Sequence, residues 1–398
     1  MQTQAPAALL SDPMLVFAYL GGLLAIIFWV SGFPALKKFF TVIPPLIFAY
    51  FVPTVSTALG ITPLASPAYD WIIRFLLPVA LFLLVITIDL PALAKMGWMA
   101  LVMMLAGTVG IIIGGPVAFL AVGHWLPDQA WTGLAALSGS WIGGAANMMA
   151  IAQSVGTPDS ILGPIIVVDT AVGYGWMGVL LFLSAFQHRF DRWSGADTTA
   201  IEETNAHLSE LQSHRHPIEV RDLAIILGLA FAAAVAAVYA GQRMPDLGDP
   251  TIISKTTWAV LFVVTGALML SLTPARKLEE AGASKLGFMA LYFLIAAIGA
   301  RADLHAVLQT PMFLLAGMIW MAVHIAVLFG VARLVRAPLF FIATGSMANI
   351  GGAASAPIVA GVYHPALAPV GVLMGVSGYI LGIYGALGCA WILGQLGG

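Results

Sequence analysis

A glycine-rich motif occurs twice in this chain, each time inside an apolar segment. It reads GSWIGGAAN at residues 139–147 and GSMANIGGAAS at residues 345–355. A long apolar segment follows each copy, and these two segments, 163–174 and 368–379, align without a gap. Paired hydrophobic segments that glycine interrupts at matching places in two halves are typical of the binding site of a transporter.

The composition is that of a membrane protein. Of the 398 residues, 61% are hydrophobic and 9% are charged, whereas soluble domains carry about 25% charge. Twelve apolar runs, from 14–33 to 366–395, are long enough to cross a bilayer. We therefore predict an all-α, multi-pass integral membrane protein of the cell (inner) membrane. The first thirteen residues hold no Lys or Arg, so the first run is expected to stay as a membrane segment.

Several function classes are disfavoured by what the sequence lacks. The net charge of −2 predicts no nucleic-acid partner. The one cysteine, Cys389, excludes an internal disulfide and a multi-cysteine metal site. The sequence shows no P-loop, no zinc motif and no nucleophile–base pairing. We therefore expect neither an enzyme nor an ATP-driven pump, and no cofactor besides Na⁺ or H⁺ as a coupling ion.

A polar stretch divides the chain into two similar halves. We predict a first membrane repeat at 1–186, a soluble linker at 187–220 and a second membrane repeat at 221–398. Each repeat has about five to six segments, in the same order. Asp89-Leu90 and Asp303-Leu304 end the third run of each half, and both aspartates are interpreted as interfacial caps or salt bridges. Two linker histidines, His214 and His216, are a weak metal signal.

The basic residues indicate that the two repeats are inverted. If all twelve runs crossed the membrane, the basic loops of the first half would lie in the cytoplasm and those of the second half outside. This conflicts with the positive-inside rule. The conflict disappears if the segments between Lys95 and Arg189 make an even number of crossings. One example is that the run at 131–155 dips into the membrane and returns. Twelve basic residues then face the cytoplasm and four face outside, namely Arg74, Arg243, Lys255 and Arg301. Whether 131–155 and 338–361 cross fully or re-enter stays open at this point.

The two glycine pairs are predicted breaks in membrane helices. Glycine accepts the unusual dihedral angles of a break, and the freed backbone groups must line protein or water. Hydroxyl and amide oxygens nearby suit a cation such as Na⁺. The candidate residues around the breaks are Ser140, Gly143, Gly144, Asn147, Ser346, Asn349, Gly351, Gly352 and Ser355. The alternative is that the small residues serve close helix packing.

Asp169 is a carboxylate near the middle of an apolar run, and such a group is a functional candidate by default. Its counterpart in the second half is Met374, so the charge occurs on one side only. We therefore predict that Asp169 and the adjacent Thr170 bind an ion or substrate, with Asn147 and Asp169 as Na⁺ ligands. The alternative is a carboxylate satisfied by the hydroxyls of Thr170 and Tyr174. His324, also within a run, is either a packed polar residue or a proton relay.

These motifs resemble a known family. GSWIGG with Asn147 resembles the Gly-Ser-Tyr-Ile-Gly-Gly-x-x-Asn signature of the "domain of unknown function 819" family of multi-pass membrane proteins. Val168-Asp169-Thr170 resembles that family's Ala-Asp-Asn, with Thr170 in place of the amide. The family is similar in arrangement to inverted-repeat carriers such as bile-acid/sodium symporters, glutamate/sodium symporters and sodium/proton antiporters. This resemblance implies a carrier whose ion and substrate sites lie at discontinuous helices.

The leading hypothesis is a secondary active transporter that couples the movement of a small organic solute to sodium or protons. We expect this solute to be anionic. The expected partners are that solute and the lipid bilayer, with a homodimer left open. The closest alternative is a cation/proton antiporter that uses Asp169 as its exchanging carboxylate. A membrane receptor or an intramembrane enzyme is a further alternative, disfavoured because no catalytic constellation is evident.

Overall fold

The fold is all-α, as predicted. The computed structural model describes residues 8–42, 45–89, 97–196, 219–248, 251, 253–301, 311–364 and 367–397. Within these ranges the extended structure is one isolated bridge, between Leu247 and Ile253. The α-helices are α1 (Pro13–Ser31), α2 (Lys37–Val42), α3 (Pro45–Ala58), α4 (Pro67–Val85), α5 (Trp98–Val122), α6 (Ala130–Gly143), α7 (Ala145–Ser154), α8 (Asp159–Leu183), α9 (Gln187–Ser194), α10 (Val220–Gly241), α11 (Lys255–Ser271), α12 (Ala283–Ala300), α13 (Pro311–Val335), α14 (Leu339–Ile350), α15 (Gly352–Tyr363) and α16 (Ala368–Gly397).

Eight helices in the described part of the chain are long and apolar enough to cross a membrane: α1, α4, α5, α8, α10, α12, α13 and α16. Shorter apolar helices are α3, α11 and α14. Local signals set several helix ends. Asp12 caps α1 by accepting hydrogen bonds from the N–H groups of Met14 and Leu15, and Ser254 with Thr257 forms a capping box at the start of α11.

Ion pairs between the halves identify the two ends of the helix bundle. At one end, Arg301 follows α12 and pairs with Asp70 in α4 (3.3 Å) and Asp159 at the start of α8 (3.0 Å). We call this the Arg301 end. At the other, Asp89 follows α4 and pairs with Arg276, which precedes α12, at 2.8 Å. We call this the Asp89 end.

The interpretation of Asp89 as a salt-bridge residue is thereby confirmed. Its partner comes from the opposite half of the chain, so the pair holds the two halves together at that end. Asp303, to which the same interpretation was given, lies outside the described residues.

The first glycine-broken segment is a helical hairpin, formed by α6 and α7. The hydroxyl of Thr157, just past α7, donates to the carbonyl of Thr132, near the start of α6, at 3.1 Å. Since Asp159 begins α8 at the Arg301 end, both ends of this segment lie at that end. Hairpin 1 (residues 130–154) therefore dips in and returns, as the basic residues indicated.

The second broken segment is also a hairpin, formed by α14 and α15, and it comes from the opposite end. The N–H of Leu339 donates to the carboxylate of Asp191 at 2.8 Å. At the other end of this segment, the His364 ring lies 3.1 Å from the amide nitrogen of Gln187. Both partners belong to α9, which follows the 25-residue helix α8 away from the Arg301 end. Hairpin 2 (residues 339–363) thus re-enters from the Asp89 end.

The two hairpins meet at their glycine tips. Gly144 breaks hairpin 1 with φ 84° and ψ −179°, a conformation that is essentially restricted to glycine. Gly352 at the tip of hairpin 2 has φ 57°. A Cβ atom placed on Gly352 would lie 3.9 Å from the Cα of Gly144. The predicted breaks are confirmed, and the structure places them in contact.

One helix, α16, packs closely against both tips. A Cβ on Gly375 would lie 2.6 Å from the backbone nitrogen of Ala353 in hairpin 2. On Gly378 it would lie 2.7 Å from the carbonyl of Ile142 in hairpin 1. Such distances are far below van der Waals contact, so these positions admit no side chain. The glycines of α16 therefore allow both hairpins to reach its backbone.

The first residues of the predicted linker at 187–220 are helical. Residues Gln187–Ser194 form α9, and Asp191 is buried and accepts a hydrogen bond at the start of hairpin 2. A short segment rich in charge looks solvated in sequence, yet here it closes the end of the bundle. Residues 197–218, including His214 and His216, lie outside the described residues. The inverted relation of the two repeats stays a prediction.

Replacing Gly144 with alanine is expected to destabilise the protein by about 1–3 kcal/mol, because alanine does not adopt this backbone conformation without strain. The measurement is the unfolding midpoint of the purified protein in detergent. The matched control is Gly175→Ala on the exposed face of α8, where an added Cβ meets nothing within 4 Å. Equal midpoints for the two variants would contradict the strained tip.

Candidate functional site

A cavity of about 350 Å³ lies where the two hairpin tips meet. Its wall includes Gly144 from hairpin 1 and Gly351 and Gly352 from hairpin 2. The remaining wall comes from α4, α8, α12, α16 and the region of α2 and α3. A backbone break that borders a cavity of this kind satisfies the rule that irregular backbone in a membrane must line protein or water.

Seven of the predicted site residues line this cavity. They are Ser140, Gly144, Asp169, Thr170, Gly351, Gly352 and Ser355. Four others, Gly143, Asn147, Ser346 and Asn349, are absent from the lining. Most of the predicted residues therefore lie together at one cavity, while about a third of them face neighbouring helices instead.

Asp169 contributes the negative charge of the cavity. It lies on α8, is half-buried, and its carboxylate interacts with the side chains of Ser140 and Trp141. The Trp141 indole nitrogen is buried without a hydrogen-bond partner, so the two groups are close but not in bonding geometry. No ion pair of Asp169 occurs among the described residues. A partly buried carboxylate without a cation is available to bind one.

The two hydroxyls proposed as alternative partners of Asp169 both have other contacts, although Tyr174 also interacts electrostatically with Asp169. Thr170 donates to the carbonyl of Ile166 in its own helix at 2.9 Å. Tyr174 interacts with Ser355 of hairpin 2. Met374, the counterpart of Asp169 in the second half, is fully buried and is not part of the lining. The charge asymmetry seen in sequence is thus present in the cavity itself.

Asn147 anchors hairpin 1 to α16. Its side chain is fully buried, and its amide nitrogen donates to the carbonyls of Gly378 and Tyr379 at 3.2 and 3.3 Å. Its oxygen Oδ1 is buried with no hydrogen-bond partner in the structure. A Cβ on Gly143 would clash with this amide, so Gly143 is required for the packing of Asn147. The predicted role of Asn147 as an Na⁺ ligand stays a prediction.

Asn349 anchors hairpin 2 to α5. Its oxygen accepts from the hydroxyl of Thr108 at 2.8 Å. Its nitrogen donates to the carbonyls of Met104 at 3.0 Å and Gly345 at 2.9 Å. Because both ends of the amide are bonded away from the cavity, this asparagine holds the hairpin in place, and its predicted ligand role stays a prediction.

Ser346 belongs to a buried chain of hydrogen bonds that joins four helices. The indole of Trp176 (α8) donates to the Ser346 hydroxyl at 2.8 Å. That hydroxyl lies 2.8 Å from Nε2 of His324 (α13), whose Nδ1 lies 3.1 Å from the carbonyl of Gly107 (α5). A carbonyl only accepts, so Nδ1 carries the proton. Neutral His324 then accepts from Ser346, and every member of the chain is paired.

Three tyrosines complete the wall and were not singled out as ligands from the sequence. Tyr292 comes from α12, far from both motifs, and Tyr379 comes from α16. Tyr174 and Tyr379 occupy matching places in the two aligned apolar segments, which was the available signal for that pair. Tyr292 has no comparable signal, because only tertiary packing brings α12 to the tips.

The cavity wall combines one charged group with polar and apolar surface. One carboxylate and several hydroxyls face a largely apolar cavity. The described residues contain no group of three or more His, Cys, Asp or Glu that could hold a metal ion together. The cavity thus offers a small ligand one negative charge, hydrogen-bonding oxygens and aromatic rings.

Ser346→Ala is expected to lower the free energy of unfolding by about 1–3 kcal/mol, because it leaves His324 and Trp176 buried with an unmade hydrogen bond each. Thermal unfolding in detergent measures this. The control is Ser138→Ala. Ser138 lies five residues before Gly143, and Ser346 likewise lies five residues before Gly351. The Ser138 hydroxyl donates within its own helix, to Ala135. A loss for Ser346→Ala no larger than for the control would contradict the chain of hydrogen bonds.

Comparison with known proteins agrees with a membrane protein of this kind. The chain is similar to the "Uncharacterized membrane protein YjcL" of Bacillus subtilis (strain 168), with 26% identity over 337 residues. The match covers 83% of this chain and 85% of that protein. The profile of the family described as "Protein of unknown function (DUF819)" matches residues 18–396. The chain belongs to the DUF819 family.

Proposed function

We propose that this protein is a secondary active transporter that moves a small organic solute, coupled to sodium or protons. The observation that supports this most strongly is the meeting of two hairpins from opposite ends at one cavity with a lone carboxylate. A site between discontinuous helices at mid-membrane is the arrangement that carriers use.

Each hairpin would act as the barrier on its own side of the cavity. Hairpin 1 lies between the cavity and the Arg301 end, and hairpin 2 lies between the cavity and the Asp89 end. Both pack on α16, while α1, α10 and α11 pack mainly on α3, α4, α12 and one another. Alternating access would follow if the hairpins move with α16 and α8 against this second group of helices.

The distribution of basic residues supports an orientation with the Asp89 end in the cytoplasm. The described basic residues assigned to that end are Lys37, Arg189, Arg192, Arg221, Arg276, Lys277, Lys285, Arg333 and Arg336. Those assigned to the Arg301 end are Arg74, Arg243, Lys255 and Arg301. The opposite origins of the two hairpins also support the proposed inverted repeat. The protein would lie in the cell (inner) membrane.

In this proposal Asp169 is the coupling carboxylate, with hydroxyls of Ser140, Thr170 and Ser355 as further ligands. The second candidate, a cation/proton antiporter, is favoured by one observation. Among the described lining residues, Asp169 is the acidic one and none is Lys, Arg or His. A single carboxylate that binds either a proton or another cation gives exchange directly. Enzyme activity and a further cofactor form no part of this proposal.

The test is labelling of one cavity residue from either side of the membrane. Ala353 lines the cavity and is half-buried. Ala353→Cys, in a Cys389→Ala background, is reconstituted in liposomes and exposed to a membrane-impermeant maleimide from outside or inside. We expect labelling from both sides, with a ratio that changes with the imposed Na⁺ or H⁺ gradient, and Asp169→Asn should remove that gradient dependence.

Lys277→Cys and Arg243→Cys serve as one-sided controls, because they lie at opposite ends of the bundle. Labelling of Ala353→Cys from one side under every gradient would contradict alternating access. If labelling still depended on the gradient in the Asp169→Asn variant, this would contradict only the coupling role of Asp169. In that case the transporter proposal would stand with a different coupling residue.

A further inference from the structure

The described wall of the cavity carries negative charge and no positive charge. Among the described residues of its wall, Asp169 is acidic and none is Lys, Arg or His. A carboxylate that is partly removed from water and has no positive partner carries a desolvation penalty. A bound cation would offset this penalty. A ligand with only negative charge would lie beside Asp169 with no cationic side chain to receive it.

The helix ends at the two hairpin tips do not reverse the preference of the cavity for a cation. Each tip contains the C-terminal end of one helix and the N-terminal end of the next, α6 with α7 and α14 with α15. The partial negative charge of the first end opposes the partial positive charge of the second. The full charge of Asp169 therefore decides which ligands the cavity favours.

The rest of the wall suits an organic body rather than a bare ion. Aromatic rings line it on several sides: Phe40, Tyr174, Phe288, Tyr292 and Tyr379. The faces of such rings attract organic cations that lie within about 6 Å. The volume of about 350 Å³ falls in the range of small-molecule sites. A metal ion alone would leave most of this space and the aromatic surface unused.

We propose that the solute carries a protonated amine, which binds the carboxylate of Asp169 while its apolar part lies among the aromatic rings. This inference rests on the proposed function, because it names the solute class of the same cavity. It replaces the expectation of an anionic solute. The other titratable groups of the described wall are the phenols of Tyr174, Tyr292 and Tyr379. Amine and coupling ion would compete for Asp169, which favours exchange.

The test compares three probes that share a phenylalkyl body and differ in charge. They are phenethylamine (cation), phenylalanine (zwitterion) and hydrocinnamate (anion). Each is added at equal concentration to the purified wild-type protein, and the unfolding midpoint is measured, since a bound ligand stabilises the folded state. Phenethylamine should raise the midpoint and hydrocinnamate should not. The phenylalanine arm distinguishes a solute with a free amine from one whose amine belongs to a zwitterion.

The variant Asp169→Asn should weaken phenethylamine binding at least tenfold, because the neutral amide no longer pairs with the ammonium group. Asp128→Asn, which removes an exposed carboxylate, is the charge-matched control and should bind as the wild type does. If Asp169→Asn does not fold, the wild-type comparison of the three probes still decides.

The proposal is overturned if phenethylamine has no effect, if hydrocinnamate stabilises as strongly as phenethylamine, or if Asp169→Asn binds phenethylamine unchanged. These outcomes are distinct from a failure of the transporter proposal, which depends on labelling of Ala353→Cys without any solute. A protein that labels from both sides but prefers hydrocinnamate would be a transporter with a different solute class.

Discussion

A backbone that stops being helical inside a membrane must find its hydrogen-bond partners within the protein, because lipid supplies none. Here two such breaks lie against each other, Gly144 beside Gly352, and α16 covers both with glycines that admit no side chain. The cavity lies at that contact, and Asp169 of α8 is part of its wall. Without it, each tip would expose unpaired backbone groups to the hydrocarbon core.

The two hairpins are built alike and anchored differently. Asn349 has both ends of its amide bonded, to α5 and to its own helix. Asn147 bonds α16 through its nitrogen, and its oxygen is left buried without a partner. The two helices that follow the hairpins also differ, since α8 carries Asp169 where α16 carries Met374. The two hairpins are therefore similar in backbone and different in their side-chain contacts.

Much of this architecture is predictable from sequence, because glycine pairs in apolar runs mark breaks and basic residues report on crossings. The side chains that line the cavity are less predictable. Ser140 and Ser346 follow the same glycine in their motifs, yet Ser140 faces the cavity and Ser346 bonds His324. Which helix face meets the cavity depends on tertiary packing, which a local motif does not encode. Tyr292 and the helix α9 were missed for the same reason.

If the bundle crosses the membrane as proposed, the two hairpins enter it from opposite faces. Single cysteines at the ends of hairpin 1 (Gln129 and Pro158) and of hairpin 2 (Arg336 and His364) test this in a Cys389→Ala background with an impermeant maleimide. We expect Gln129→Cys and Pro158→Cys to label from one face and Arg336→Cys and His364→Cys to label from the other. Labelling of the two ends of either hairpin from opposite faces would show a full crossing and contradict this expectation.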